Sequence, residues 1–303
     1  MTDRVLFANG CSMCYGTDLF DDPNTGFCFD NEARWRAAWP GQLGRLLGYT
    51  SVVNDGFPGS SNDRILRSTI RWLVEDVPAL KAAGAELLVV IGWSSPMRRE
   101  FHISGEWRQL IPYHDYTDAP AAMINRAYRE IAWSDEESAI RFATQVLTLK
   151  WALERASIPY LFFNALESLA DIDEHSGGSL QPYMSQILDR HFFGSGQNGE
   201  PERIQAAATV KASGGHPDGE GHIAWAAALA EYLQTQGVAQ KSVGCTGIAY
   251  SGTTKARILD RKVGLPKRPG AAAARKAPPE PERPKGLVER ILASRRRDPF
   301  IYE

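Results

Sequence analysis

Residues 86–92 read ELLVVIG, and the turn GWSSPMRRE follows directly at 92–100. The run is apolar at every position from Leu87 to Ile91 rather than at alternate ones. That pattern belongs to a strand covered on both faces, as in a parallel sheet. Shorter runs of the same kind stand at 4–8 (RVLFA), 51–54 (SVVN) and 158–164 (IPYLFFN). Helical spacing lies between them. Leu66, Ile70, Leu73, Val77 and Leu80 mark a helix over 62–83, and Ile140, Leu147 and Trp151 another over 135–156. Ser134 and Glu137 have capping-box spacing at the start of the second. Trp225, Leu229 and Leu233 mark a last helix over 220–236. Strands alternating with helices predict a three-layer α/β/α parallel sheet of the flavodoxin-like kind. Sites in such sheets lie beyond the carboxyl ends of the strands, so the residues after each strand are the ones to inspect.

The chain has 303 residues, enough for one large domain with an appendage at about 100–200 residues per domain. A hydrophobic fraction of 43% and a charged fraction of 23% exclude a wholly disordered chain. No apolar run approaches the roughly 18 residues of a membrane span. The opening MTDRVLFANG has too short an apolar run for a signal-peptide core, so a cytoplasmic location is expected. Charge is uneven. From Lys241 onward there are fifteen Lys and Arg against six Asp and Glu, leaving nineteen against thirty in residues 1–240. The expected division is a domain over 1–238, a linker over 239–265 and a Pro/Ala-rich basic tail over 266–303. The tail contains a candidate short helix at 286–297 and a closing DPFIYE that could dock on the body. A polyanion or protein partner for it is the sharper reading, a solvated tail the blander one. Two insertions, 100–133 and 168–200, are irregular and could wall a pocket.

Four turns carry the candidate chemistry. The first is Gly10-Cys11-Ser12-Met13-Cys14-Tyr15-Gly16, where Ser12 sits at a strand-to-helix turn as nucleophile or as simple helix cap. The second is Asn54 to Asn62, whose glycines let backbone N–H groups approach a developing oxyanion. The third is Gly92 to Glu100. The fourth is His216-Pro217-Asp218-Gly219-Glu220-Gly221-His222, with a candidate general base ahead of the last helix. Trp93, Trp107 and Tyr113 could form an aromatic floor for a sugar-like or planar substrate, or could be ordinary packing. Cys11 and Cys14 make a C-x-x-C, but Cys28 and Cys245 stand alone, so half of any zinc site is missing.

In this order the four turns resemble those of the SGNH hydrolases, the GDSL-type esterases and lipases. Gly10-Cys11-Ser12 with Gly16 is similar to the family's Gly-Asp-Ser block, and Asn54, Gly56 and Gly59 to its Asn-x-Gly-x-x-Gly turn. Gly92-Trp93-Ser94-Ser95 aligns with its Gly-x-Asn-Asp, and Ser213 to Pro217 with its Asp-x-x-His-Pro. The spelling resembles a divergent bacterial or phage branch. The resemblance implies hydrolysis of an acyl ester, on a small molecule or glycan, through an acyl-Ser12 intermediate. His216 would be the base, with His222 as runner-up, and the N–H groups of Ser12 and Gly59 the oxyanion hole. It implies no cofactor; the lone Cys28 and Cys245 and the lack of a long apolar run lead us to expect no metal and no membrane partner. Two positions depart from it. Ser94 stands where the family has an oxyanion Asn, a role Asn62 could take over. Ser213 stands where it has the acid, which Asp218 could replace. A non-catalytic binding or virion-associated module and an O-acyltransferase are the alternatives.

Overall fold

The computed structural model describes residues 3–20, 31–103, 105–194, 215–239 and 248–252. The chain divides into Met1–Gly264 and Leu265–Glu303, and the whole second unit, with the tail's expected helix and docking peptide, lies outside the described residues.

Five parallel strands form the sheet: β1 (Arg4–Asn9), β2 (Ser51–Asn54), β3 (Glu86–Trp93), β6 (Tyr160–Asn164) and β7 (Ala249–Gly252), in the order β6-β3-β1-β2-β7. A separate antiparallel hairpin joins β4 (Arg99–Ile103) to β5 (Glu106–Leu110). The inner order β2-β1-β3-β6 is that of a flavodoxin-like sheet, with its switch point between β1 and β3. The last strand differs: β7 pairs with the outer edge of β2. Beyond β6 a single parallel bridge, Phe162 to Phe192, stands at the other edge.

The unbroken apolar runs divide between the two faces because successive strand residues point oppositely. Val5, Phe7, Leu87, Val89 and Ile91 pack with α4 (Asn62–Glu75), α5 (Val77–Ala82) and α7 (Asp135–Arg155). Leu6, Ala8, Val52, Leu88 and Val90 pack with α3 (Trp39–Leu47) and with the last helix, α10 (Gly219–Thr235). These two apolar layers make the three-layer α/β/α fold. Among the described residues no helix is long and apolar enough to cross a membrane.

Several elements depart from the sequence reading. The helix expected over 62–83 is two helices, broken at Asp76, with Pro78 in the first turn of α5 where its missing N–H costs nothing. On α7 Ala139, Phe142, Ala143, Val146, Leu149 and Leu153 are buried, and Leu147 with them as expected, whereas Ile140 and Trp151 are exposed. The insertion at 100–133 holds the hairpin and α6 (Ala119–Ala127). Residues 168–194 add α8 (Leu169–His175) and α9 (Gln181–Ile187). The expected linker, 239–265, supplies β7, so the sheet runs past residue 238. Its four residues, AYSG, are too short and mixed a run to read as a strand without β2 beside them.

Candidate active site

The carboxyl ends of β1, β2 and β3 are knitted together by buried polar side chains. Asn9 donates from Nδ2 to Ile65 O, Ser68 Oγ and Thr69 Oγ1 at 3.2, 2.9 and 2.9 Å. Its Oδ1 accepts the Gly10 N–H at 2.8 Å, which starts the turn. A Cβ on Gly10 would lie 2.8 Å from Cys14 Cβ and 2.9 Å from Gly92 O, so only glycine allows so sharp a departure from β1. Ser12 then opens the one-turn helix α1 (Ser12–Tyr15), half-buried. As the first helical residue its N–H has no intrahelical partner. It makes no hydrogen bond among the described residues, and neither does Ser12 Oγ.

The second turn is locked onto α1. Asn54 donates to Cys14 O at 2.9 Å and accepts the Gly56 N–H at 3.0 Å. A Cβ on Gly56 would meet Tyr15 N at 2.7 Å. Arg64, buried on α4, donates to Asp55 O and Ser60 Oγ at 3.0 and 3.3 Å. Burial pushes the Asp55 carboxyl up and the Arg64 guanidinium down, each opposed by the other's charge. Gly59 sits at φ +74, and its N–H makes no hydrogen bond among the described residues.

Ser94 and Asn62 were expected as oxyanion donors, and the structure commits them to each other. Asn62 Oδ1 accepts the Ser94 N–H at 2.7 Å, and Asn62 Nδ2 donates to Ser94 O at 2.9 Å. Asn62 is fully buried and braces the third turn instead of presenting its amide to a substrate. The Ser94 hydroxyl is buried with no partner among the described residues.

At the fourth turn His216 Nδ1 lies 2.9 Å from Asp18 Oδ2, with both side chains partly exposed. Asp18 closes the loop after α1 and is one of the few non-glycine residues at positive φ, +71. The carboxylate beside His216 therefore comes from the turn that carries Ser12. Nothing in the sequence marks it; a loop aspartate six positions after Ser12 carries no spacing signal. Asp218 is spoken for elsewhere: its Oδ1 caps α10 by accepting the Gly221 N–H at 2.9 Å. Ser213 lies outside the described residues. His216 Nε2 and Ser12 Oγ are not joined by a hydrogen bond, a contact that often tightens only with substrate bound. His222 is fully buried, accepts the Trp39 N–H on Nδ1 at 3.1 Å, and is pushed down to about 4 by burial.

The three aromatic candidates do not form one floor. Trp93 is 0% exposed, packed edge-on against Phe142 and Phe162, because its position on β3 points it into the α7 layer. Trp107 is 52% exposed on the hairpin, with Arg67 over its ring at 4.5 Å. Tyr113 is 65% exposed and meets Trp133 edge-on. Cys11 and Cys14 are buried free thiols, and burial holds the Cys14 thiol well above its ordinary range. Cys28 and Cys245 lie outside the described residues. No cluster of His, Cys, Asp and Glu among the described residues could hold a metal ion.

A family model matches residues 17–244. The chain belongs to the family of unknown function DUF6071. The family's match takes in Asp18, the Asn54–Asn62 turn and His216, and begins after Ser12. No curated protein matches the sequence significantly. The fold is similar to a member of the lipolytic G-D-S-L family from Veillonella parvula DSM 2008, at 16% identity over 76% of this chain and 98% of that one, TM-score 0.35. It is also similar to an acetyl xylan esterase from Butyrivibrio proteoclasticus, at 15% identity over 78% and 64%, TM-score 0.41. An acetylxylan esterase from Geobacillus stearothermophilus is similar at 14% identity over 76% and 94%, TM-score 0.35.

Proposed function

We propose that the chain is an SGNH-type serine hydrolase of acyl esters, with Ser12 as nucleophile, His216 as general base and Asp18 as the orienting acid. The observation that carries this reading is the 2.9 Å contact between His216 and Asp18, the latter on the same turn as Ser12. A carboxylate on Nδ1 holds the imidazole with its proton there and leaves Nε2 basic. Nε2 then takes the Ser12 hydroxyl proton as Oγ bonds to the ester carbonyl carbon. The oxyanion that forms is met by the N–H groups of Ser12 and Gly59, both without partners among the described residues. Collapse breaks the C–O bond to the alcohol, which leaves with the proton from His216. Water, deprotonated by His216, attacks the acyl-Ser12 ester, and the acid product departs as Ser12 recovers its proton.

One observation favours a non-catalytic binding module instead: with Asn62 bonded to the Ser94 backbone, neither residue offers an obvious side-chain third donor. A fluorophosphonate probe separates the two readings. The expected result is an adduct mapped to Ser12 and lost in Ser12→Ala. Folded protein that takes no adduct would leave the binding module standing.

A further inference from the structure

Beside the second turn, a cleft of about 620 Å³ opens between α4 and the β4–β5 hairpin. Its size is in the range of small-ligand sites. Arg64, Arg67 and Arg71 line one wall, three and four residues apart on one face of α4. Trp107 and Arg108 on β5 also line the cleft, as does Phe57 from the turn that carries Gly59.

The charges in this cleft are unevenly satisfied. Each of its carboxylates is already engaged. Glu100, buried, takes both Arg67 Nε and NH2 at 2.6 and 2.7 Å and also Gln109 Nε2 at 2.6 Å. Glu106 pairs with Arg108 at 2.9 Å, and Asp118 caps α6 through the Ala121 N–H at 3.0 Å. Arg67 has its Nε–NH2 fork on Glu100, and Arg64 spends NH1 on Asp55 O and Ser60 Oγ. Arg71 makes no hydrogen bond or ion pair among the described residues. Arg64 feels the crowding: burial first, then Arg67 and Arg71, push its guanidinium down, against Asp55 and Glu100. Guanidinium groups gathered in a walled cleft favour an anion, and the planar fork suits a carboxylate bidentately. The Trp107 indole carries Arg67 over its ring and His102 edge-on, and its half-exposed remainder offers apolar surface beside Arg71.

We propose that this cleft binds an acidic sugar unit, a uronate, with its carboxylate on Arg71 and its ring against the exposed part of Trp107. The binding stands on the cleft alone. That the uronate belongs to the alcohol side of the ester rests on the hydrolase reading, through the shared turn at Phe57.

The test is calorimetric titration of the full-length Ser12→Ala chain with tri-galacturonate. Binding is expected, weakening as salt rises. Arg71→Gln and Trp107→Ala, both at exposed positions, should each weaken it about tenfold or more, about 1.4 kcal/mol. A neutral xylotriose should bind at least about tenfold more weakly than the uronate. Equal binding of the neutral sugar would overturn the proposal, as would unchanged affinity in both variants. Binding of millimolar inorganic phosphate with no uronate binding would show a phosphate site and overturn it too. Fluorophosphonate labelling of the wild-type chain is scored separately. Uronate binding without labelling would keep the cleft and sink the hydrolase; labelling without uronate binding would do the reverse.

Discussion

Asp18 holds a left-handed backbone and the Nδ1 of His216 at once. A non-glycine residue in that region bears about 1–2 kcal/mol of steric cost, and such strain persists where the surroundings over-determine it, often at functional sites. Asp218, by contrast, is a helix cap with ordinary extended φ. The two aspartates therefore make different forecasts. Asp18→Asn, which tolerates the same backbone, should lower turnover of a simple acetate ester by about 10²–10⁴, as loss of an orienting acid does, with folding intact. Asp218→Ala should cost about 1 kcal/mol of stability through the lost cap and leave turnover unchanged. Ester assays alongside urea unfolding read both effects. Should Asp218→Ala abolish turnover in a folded protein while Asp18→Asn does not, the acid is misassigned. Trp93 shows the same separation of roles: a residue next to a candidate oxyanion position is wholly core.

Helix α3 begins without a side-chain cap of its own, because Ala38 stands at its N-cap. His222 from α10 supplies the missing acceptor to the Trp39 N–H, so one imidazole joins two helices of the same layer. To accept on Nδ1 the ring must be neutral there, and burial keeps it so, with Asp218 partly opposing and His216 adding. The folded value of about 4 lies below the ordinary 6.5. Between those values the unfolded chain binds the extra proton, so stability is full above pH ~6.5 and falls as pH drops toward ~4. The loss at the bottom of the window is about 3 kcal/mol at 1.36 per unit. Unfolding midpoints measured from pH 7 to pH 4.5 should show this fall in the wild type and a shallower one in His222→Gln, which keeps an acceptor but does not titrate. Identical slopes would mean that His222 is not the group responsible.

At the scale of the molecule, β7 covers the outer edge of β2 in parallel register from Ser51–Ala249 to Asn54–Gly252. Gly252 lies so close under the Trp35 ring of α2 (Glu32–Ala37) that a Cβ there would stand 2.5 Å from it. Tyr250 receives Arg36 over its ring at 5.4 Å. A chain ending at residue 252 should thus keep the melting temperature of the full chain. A chain ending at residue 238 should lose about 2–4 kcal/mol, at about 1 per ladder hydrogen bond, and self-associate through the bared edge. Thermal melts and gel filtration of the two truncations decide this; equal behaviour would show that β7 contributes nothing to the fold.

The three-layer architecture was legible because its signals are local. Unbroken apolar runs, helical spacing around Trp225, Leu229 and Leu233, and glycines at Gly10 and Gly56 each report what a few neighbouring residues must do. The place to look for a site followed from them, since parallel strands ending together bring their turns to one edge. Pairings across the fold were not legible. Asp18 meets His216 over 198 positions, Asn62 spends its amide on Ser94, and AYSG becomes a strand because β2 has an open edge to offer it. Such contacts depend on where packing sets whole elements, and no short window of sequence encodes that distance. Local chemistry thus determined the layers and the turns; tertiary packing alone decided which aspartate faces the histidine.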